Sequence, residues 1–226
     1  MARPSARILA SAATIFALAV GGGARADVIY QNTFESGPVE PVWSAGTTFD
    51  QLGPFSRYIG RYSNESSVTL TLPAPSPAAL GPGESYLYTL TFDLYVIDSW
   101  DGYDTGFGPD WFRVHANGTT VFDETFANMH TLQSFRPPDV GPIPMGYHPT
   151  APDSIYRDIA VSFGLPGAST LSLKFGGHLL QGMSDESWGL DNVRVASQVI
   201  PTPGAIALLG LAGLTLVSRR RSRCAK

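Results

Sequence analysis

The feature that most constrains the fold is an alternation of apolar and polar residues that recurs along the middle of the chain. In Ser67–Leu72 (SVTLTL), every second residue is apolar, and the residues between them are serine or threonine. Side chains of a β-strand point alternately to its two faces, so this pattern predicts a strand with one buried face. Comparable strand-like runs occupy Ser85–Ile97, Trp111–Phe122, Ile155–Phe163, Ser169–Phe175 and Trp188–Val195.

Turn-forming residues separate these runs, and no segment between residues 27 and 198 has the period of an amphipathic helix. The dipeptide Asn117-Gly118 favours the positive φ angles of a tight hairpin turn. Two proline-rich loops are predicted at Pro73–Gly83 and Arg136–Asp153. Many short strands in a segment of single-domain length predict one antiparallel β-sandwich over residues 27–198.

The N-terminal segment, residues 1–26, has the layout of a secretory signal peptide. Arg3 and Arg7 precede an apolar stretch, Ile8–Gly22, and an A-x-A cleavage motif ends at Ala26. We therefore expect this segment to be removed on export and Asp27 to become the first residue of the mature protein.

The C-terminal segment, residues 199–226, combines prolines, an uncharged apolar run and a basic cluster. The run Gly204–Val217 contains no charged residue, and as a helix it reaches about 21 Å against a hydrocarbon core of about 30 Å. Pro203 suits the first turn of this helix, where a backbone N–H is not needed. The positive-inside rule would keep the following basic residues cytoplasmic and the body of the protein outside; they are Arg219, Arg220, Arg221 and Arg223.

This layout resembles the PEP-CTERM sorting signal of bacterial surface proteins, although the chain has Pro201-Thr202-Pro203 in place of Pro-Glu-Pro. The resemblance implies recognition by an exosortase and a location in the cell envelope, at the cell surface or outside the cell. The C-terminal helix would anchor the protein in the cytoplasmic membrane, transiently or permanently. An ordinary anchor that is never cleaved predicts the same topology. The residues that carry the resemblance are Pro201, Pro203, Gly204, Arg219, Arg220 and Arg221.

Charge is distributed unevenly along the chain. The body contains all 19 acidic residues but only 7 of the 15 Lys and Arg residues, a difference of −12. Such a surface repels phosphate backbones, so nucleic acid is excluded as a partner, whereas cation binding is favoured. The only cysteine, Cys224, lies in the C-terminal segment, so the body has no disulfide.

The sequence carries no catalytic motif that we can identify, and we expect a protein that is not an enzyme. Neither E-x-D-x-x-E, G-x-S-x-G nor H-E-x-x-H is present. Asp123-Glu124 and Asp185-Glu186 are adjacent pairs, which on a strand would point to opposite faces. The alternative is a secreted glycan hydrolase whose two carboxylates come from distant strands.

An acidic, glycine-containing loop predicts a structural calcium site. The segment Asp98–Asp110 contributes Asp98, Asp101 and Asp110, and carboxylates in glycine-rich loops supply the hard oxygen ligands that Ca²⁺ requires. The spacing does not fit an EF-hand, and a solvated acidic turn is the alternative. Aromatic residues in the same region, which could present ring faces to an extracellular polysaccharide, are Trp100, Tyr103 and Trp111.

The segments YQNTFESG, FDLYVIDSWDG, GPDWFRVHANG and WGLDNVRV resemble the jelly-roll domains related to concanavalin A-like lectins and carbohydrate-binding modules. In those domains the first and last strands lie close together and often share a structural calcium. By resemblance its ligands here would be Glu35 and Asp191. The resemblance implies a structural or glycan-binding body without catalytic activity.

Overall fold

The computed structural model describes residues 26–103, 106–129, 132–165 and 169–201. The predicted signal peptide, the C-terminal apolar run and the arginine cluster therefore lie outside the described residues, as do Pro203 and Gly204. Within these ranges, no helix is long and apolar enough to cross a membrane.

The described residues form an all-β structure with antiparallel pairing throughout, as the alternating sequence pattern predicts. One 3₁₀ turn at Pro77–Ala79 is the sole helical element in this part of the chain. The strands are β1 (Asp27–Asn32), β2 (Phe49–Asp50), β3 (Tyr58–Tyr62), β4 (Ser67–Pro73), β5 (Glu84–Asp98), β6 (Trp111–Ala116), β7 (Thr119–Thr125), β8 (Val140–Ile143), β9 (Asp153–Gly164), β10 (Thr170–His178) and β11 (Glu186–Pro201).

Two sheets contain these strands. Sheet A has the order β2-β3-β11-β5-β9-β8, with β1 also paired to β11, and sheet B has the order β4-β10-β6-β7. One edge of β11 pairs with β5 along its whole length, while the other edge pairs with β3 near Trp188 and with β1 near Val195. The two long strands β5 and β11 therefore form the spine of sheet A.

The two sheets enclose one hydrophobic core. In β4 the buried residues are Val68, Leu70 and Leu72, the apolar set of the alternating pattern. In β11, a register shift after Asp191 interrupts the alternation of inward and outward side chains. Val193 therefore faces the core, as Leu190 does. Such a bulge resets which side chains face inward.

A second, smaller hydrophobic cluster covers the outer face of sheet A. Tyr95 and Ile97 project from β5 away from the main core and pack with Phe55 and Met145, which come from two loops. This cluster explains why Ser85–Ile97 is apolar on both sides. The proline-rich segment Arg136–Asp153 was predicted as a loop, but it contains the edge strand β8.

The predicted Asn117-Gly118 hairpin joins β6 to β7. Asn117 has φ 48° and Gly118 has φ 85°, the left-handed values that a tight two-residue turn requires. Asn117 also bonds the neighbouring strand: its side chain accepts from the Ser172 N–H at 2.7 Å and donates to the Thr170 carbonyl at 3.0 Å. The turn is thus held to β10 as well as to its own two strands.

Gly189 tests how tightly the outer face of sheet A is packed. A Cβ at this position would lie 2.1 Å and 2.2 Å from two ring atoms of Tyr58, which is fully buried. Gly189→Ala should therefore destabilise the fold by about 1–3 kcal/mol through overpacking. Urea unfolding of the full-length protein in detergent would measure this. Gly164→Ala is the control, because its Cβ would meet only the Tyr86 carbonyl oxygen at 3.9 Å; equal destabilisation of both variants would contradict the packing argument.

Candidate metal centre

Three buried carboxylates meet at one end of the sandwich. Asp101 and Asp110 belong to the connection between β5 and β6, and Glu186 is the first residue of β11. Each contributes a carboxylate oxygen to a group in which all such atoms lie within 4.8 Å of one another. Their exposed fractions are 7 %, 0 % and 0 %. We call this group the carboxylate triad.

The β5–β6 connection folds back on itself to place the two aspartates together. The Asp110 N–H donates to the Gly102 carbonyl at 3.0 Å, and the Asp101 N–H donates to Asp110 Oδ2. Gly102 has φ +62°, and a Cβ there would lie 2.0 Å from the Leu132 carbonyl oxygen, so glycine is required at this bend. The loop that follows β7 also contacts the turn, through a bridge between Asp101 and Ala127.

Burial and mutual repulsion raise the pKa values of Asp110 and Glu186. Burial raises the pKa of Asp110 to about 6, and the charge of Asp101 adds to the rise. Burial raises the pKa of Glu186 to about 8, with further rises from the charges of Asp110 and Asp101. Neither Asp110 nor Glu186 forms an ion pair with a Lys, Arg or His in the described part of the chain. Ionisation of Asp110 and Glu186 together is therefore unfavourable unless a cation is bound nearby.

One oxygen of the triad is arranged as a cation ligand would be. Asp110 Oδ1 is buried and has no hydrogen-bond partner among the described residues. Glu186, in contrast, accepts hydrogen bonds from Gln181. The Gln181 side-chain nitrogen donates to both carboxylate oxygens of Glu186, at 2.5 Å and 2.7 Å, and the Gln181 backbone N–H donates to Oε2 at 3.0 Å.

The structure brings together only two of the five predicted metal ligands, Asp101 and Asp110. Asp98 instead forms a 2.6 Å ion pair with Arg61. Asp191 accepts hydrogen bonds from Ser56 at 2.5 Å and Tyr95 at 2.8 Å. Asp191 lies on the outer face of sheet A, so the register of β11 separates it from the triad.

The calcium site that the resemblance implied at Glu35 and Asp191 stays a prediction. Glu35 is exposed, and its charge contributes to the raised pKa of Asp191 after burial. Both Asp191 oxygens are already satisfied by donors, because Oδ1 accepts from the Asn192 N–H at 2.7 Å and Oδ2 from the two hydroxyls.

Glu186 is the member of the carboxylate triad that the sequence did not predict as a metal ligand. Its proximity to the aspartates depends on the pairing of Glu186 with Asp98 across sheet A. That pairing joins distant parts of the chain and leaves no local motif.

The three predicted aromatic ligands are in different environments. Trp100 is fully buried and donates its indole N–H to the Ser187 carbonyl at 2.9 Å, so its prediction as a ligand platform is wrong. Tyr103 is 45 % exposed on the loop that carries Asp101. Trp111 lies on the outer face of sheet B, with the Arg113 guanidinium 5.1 Å from its ring centre.

Comparison with known proteins adds little to this geometry. No protein-family model matches the chain, and no curated protein matches it. Among solved structures, dimeric latent PorU from Porphyromonas gingivalis is similar at 17 % identity with a TM-score of 0.41. That similarity covers 79 % of this chain and 14 % of the PorU chain.

The raised pKa values predict that the metal-free protein loses stability as pH increases. A carboxyl whose folded pKa exceeds its unfolded value stabilises the protein below the unfolded pKa and loses that contribution as pH rises through the folded pKa. For Asp110 and Glu186 this window runs from about 4 to about 8. In chelator, the urea midpoint should therefore be lower at pH 8 than at pH 5.

Glu186→Gln should flatten this pH dependence, because glutamine does not titrate. Glu124→Gln is the matched control, since the Glu124 side chain is only partly buried and forms no ion pair with a described residue. A slope that is unchanged in Glu186→Gln would show that the triad does not carry the effect.

Proposed function

We propose that this protein is an exported, surface-directed protein whose non-catalytic β-sandwich is stabilised by calcium bound to the carboxylate triad. The observation that carries the metal proposal is a set of three buried carboxylates with a buried, unpartnered oxygen on Asp110. The body would act as a structural or glycan-binding component outside the cytoplasmic membrane. It would belong to the jelly-roll class, which the direct pairing of the first strand with the last supports.

Calcium suits the triad better than a softer metal does. Asp101, Asp110 and Glu186 offer oxygen atoms alone, and Ca²⁺ binds carboxylate and amide oxygens in flexible geometry. A divalent ion would offset most of the charge that three ionised carboxylates place in a buried site. It would also fasten the β5–β6 connection to the start of β11. Calcium is thus proposed as a structural ion.

Burial of the triad favours a structural role over hydrolysis. Glycan hydrolysis needs two carboxylates on opposite sides of an accessible glycosidic bond. Here the carboxylates converge on one buried point, and none is more than 7 % exposed. The hydrolase alternative therefore has no support from this site.

The long strand β11 separates the triad from the point where the chain continues toward the predicted sorting signal. Glu186 begins the strand and Pro201 ends it, and its 16 residues span about 50 Å at 3.3 Å per residue. A sandwich sorted by an exosortase through Pro201, Pro203, Gly204 and the arginine cluster would present the triad away from the membrane. The exposed ring of Tyr103 lies on that end.

Calcium should raise the melting temperature of the full-length protein in detergent relative to chelator. A ligand that binds only the folded state stabilises it by about 2.7 kcal/mol at 100 times its dissociation constant, which corresponds to several degrees. Asp110→Asn and Glu186→Gln should each remove most of this gain. Differential scanning fluorimetry at matched ionic strength would measure it.

The control for the calcium experiment is Asp123→Asn, which removes one acidic charge from an exposed ion pair with Arg113 on sheet B. This variant should retain the full calcium response. An equal rise in sodium at the same ionic strength, or a loss of response in Asp123→Asn, would indicate diffuse screening of the acidic surface instead of a site.

Deletion of residues 219–226 should change the processing or the location of the exported protein. The arginine cluster supplies the cytoplasmic charge that holds the apolar run in its predicted orientation. Cell fractionation and intact mass measurement would detect the change. Cys224→Ser is the control for loss of a thiol alone, and an unchanged mass and location after the deletion would contradict the sorting-signal proposal.

A further inference from the structure

The outer face of sheet B contains a polar cup centred on Gly176. Buried Leu173 and Phe175 point into the core, so Lys174, Gly176 and His178 of β10 face outward. The cup encloses about 150 Å³. Its lining consists of Glu65, Ser67, Arg113, His115, Lys174, Gly176, Gly177 and His178.

Strand register explains why a depression forms at this place. Gly176 is paired with Ser67 of β4 on one side and with Arg113 of β6 on the other. Lys174 and His178 lie two residues away on the same strand and face the same way. Because Gly176 has no side chain, these four neighbours surround an open position. The walls come from three adjacent strands, which hold them in fixed positions.

The cup has basic side chains whose donors are available. Lys174 is exposed and forms no ion pair or hydrogen bond with any described residue. Arg113 uses Nε to bond Asp123 Oδ1 at 2.7 Å, on the side away from the cup, and its terminal nitrogens form no bond within the described ranges. His115 is paired with Lys174 across the strands. Lys174, Arg113 and His115 thus occupy adjacent positions in the lining of the cup.

The same cup also contains groups that recognise hydroxyls. His178 contacts Glu65 on the β4 side, and Ser67 contributes a hydroxyl beside Gly176. A ligand with hydroxyl groups can both donate to Glu65 and accept from Ser67 or a histidine. Lys174 and Arg113 favour a ligand that also carries an anionic group. Their charged donors form stronger hydrogen bonds to a carboxylate than neutral groups form with each other.

We propose that this cup binds an acidic saccharide unit, a uronate whose carboxylate contacts Lys174 and Arg113. The inference rests on the proposed glycan-binding function and gives it a ligand class and a location. The volume of about 150 Å³ suits a single sugar unit or the end of a chain. A long polyanion fits less well, because the net negative charge of the body would repel it. Trp111, paired with His178 at the edge of the cup, is the predicted aromatic residue that lies nearest to this ligand.

The test is calorimetric titration of the full-length protein in detergent, at constant calcium, with a trimer of galacturonic acid. The fully methyl-esterified trimer has the same backbone without charge and should bind at least about tenfold more weakly, as loss of a charged hydrogen bond requires. Lys174→Gln should weaken binding of the acidic trimer to a similar extent. Lys174→Arg should restore it to within a few-fold.

Arg157→Gln is the matched control, because it removes one positive charge from an exposed position on β9 of the other sheet. This variant should bind the trimer as the unmodified protein does. Equal affinity for the acid and the ester would overturn the proposal, and so would equal loss in Lys174→Gln and Arg157→Gln. Full competition by inorganic sulfate at the trimer's concentration would overturn the saccharide assignment. None of these results alters the calcium response, so failure here is distinguishable from failure of the metal centre.

Discussion

The antiparallel pairing of β5 with β11 is the constraint on which the rest of the structure depends. The pairing runs from Glu186 opposite Asp98 to Pro201 opposite Glu84, the full length of both strands. Every other strand of sheet A joins this pair directly or through a neighbour. It also fixes the position of Glu186, which the sequence separates widely from Asp101 and Asp110. The carboxylate triad therefore exists only when the spine of sheet A has formed.

This end of the sandwich shows three ways to accommodate a buried acid. Asp98 forms an ion pair with Arg61 at 2.6 Å, although burial still raises the pKa of Asp98 to about 6. Asp153 accepts backbone N–H groups from Asp98 at 2.8 Å and Met145 at 2.7 Å. Backbone donors favour the charged form of a carboxylate without another ion. Asp110 and Glu186 also accept backbone hydrogen bonds, but neither forms an ion pair with a Lys, Arg or His in the described part of the chain. The triad differs from the other buried acids in that three carboxylates converge within 4.8 Å, and this convergence favours a cation at the site.

Local patterns in the sequence predicted β4–β7 and β9–β11 but not the shorter strands β1, β2, β3 and β8. The pairing register between distant strands determined the remaining features. Leu70 and its neighbours alternate because one face of β4 is buried, and Asn117-Gly118 forms its hairpin because both residues tolerate positive φ. The proximity of Asp101 and Asp110 was predictable, since they share one acidic loop. Glu186 and Gly176 owe their roles to residues opposite them on other strands. No spacing along the chain encodes those partners.

The prediction for Trp100 failed for a related reason. An aromatic residue in an acidic loop is equally compatible with a ring face in solvent and a ring packed in the core. Trp100 packs in the core because the chain turns inward after β5, and its indole N–H finds the Ser187 carbonyl there. Burial of this ring helps to hold the turn on which Asp101 sits. Trp100 thus packs under the turn that carries Asp101 of the carboxylate triad, and it presents no surface to a ligand.

The triad and the Gly176 cup depend on the fold to different degrees. Asp101 and Asp110 lie in an irregular connection, so only a few hydrogen bonds hold them in position. A bound cation would give this loop the stabilisation that strands obtain from regular backbone pairing. The cup is built on three hydrogen-bonded strands, so its side chains are positioned without a cross-link. Removal of calcium should therefore affect the loop that carries Tyr103 before it affects sheet B. A ligand of the cup can bind to a surface that the sandwich itself keeps in place.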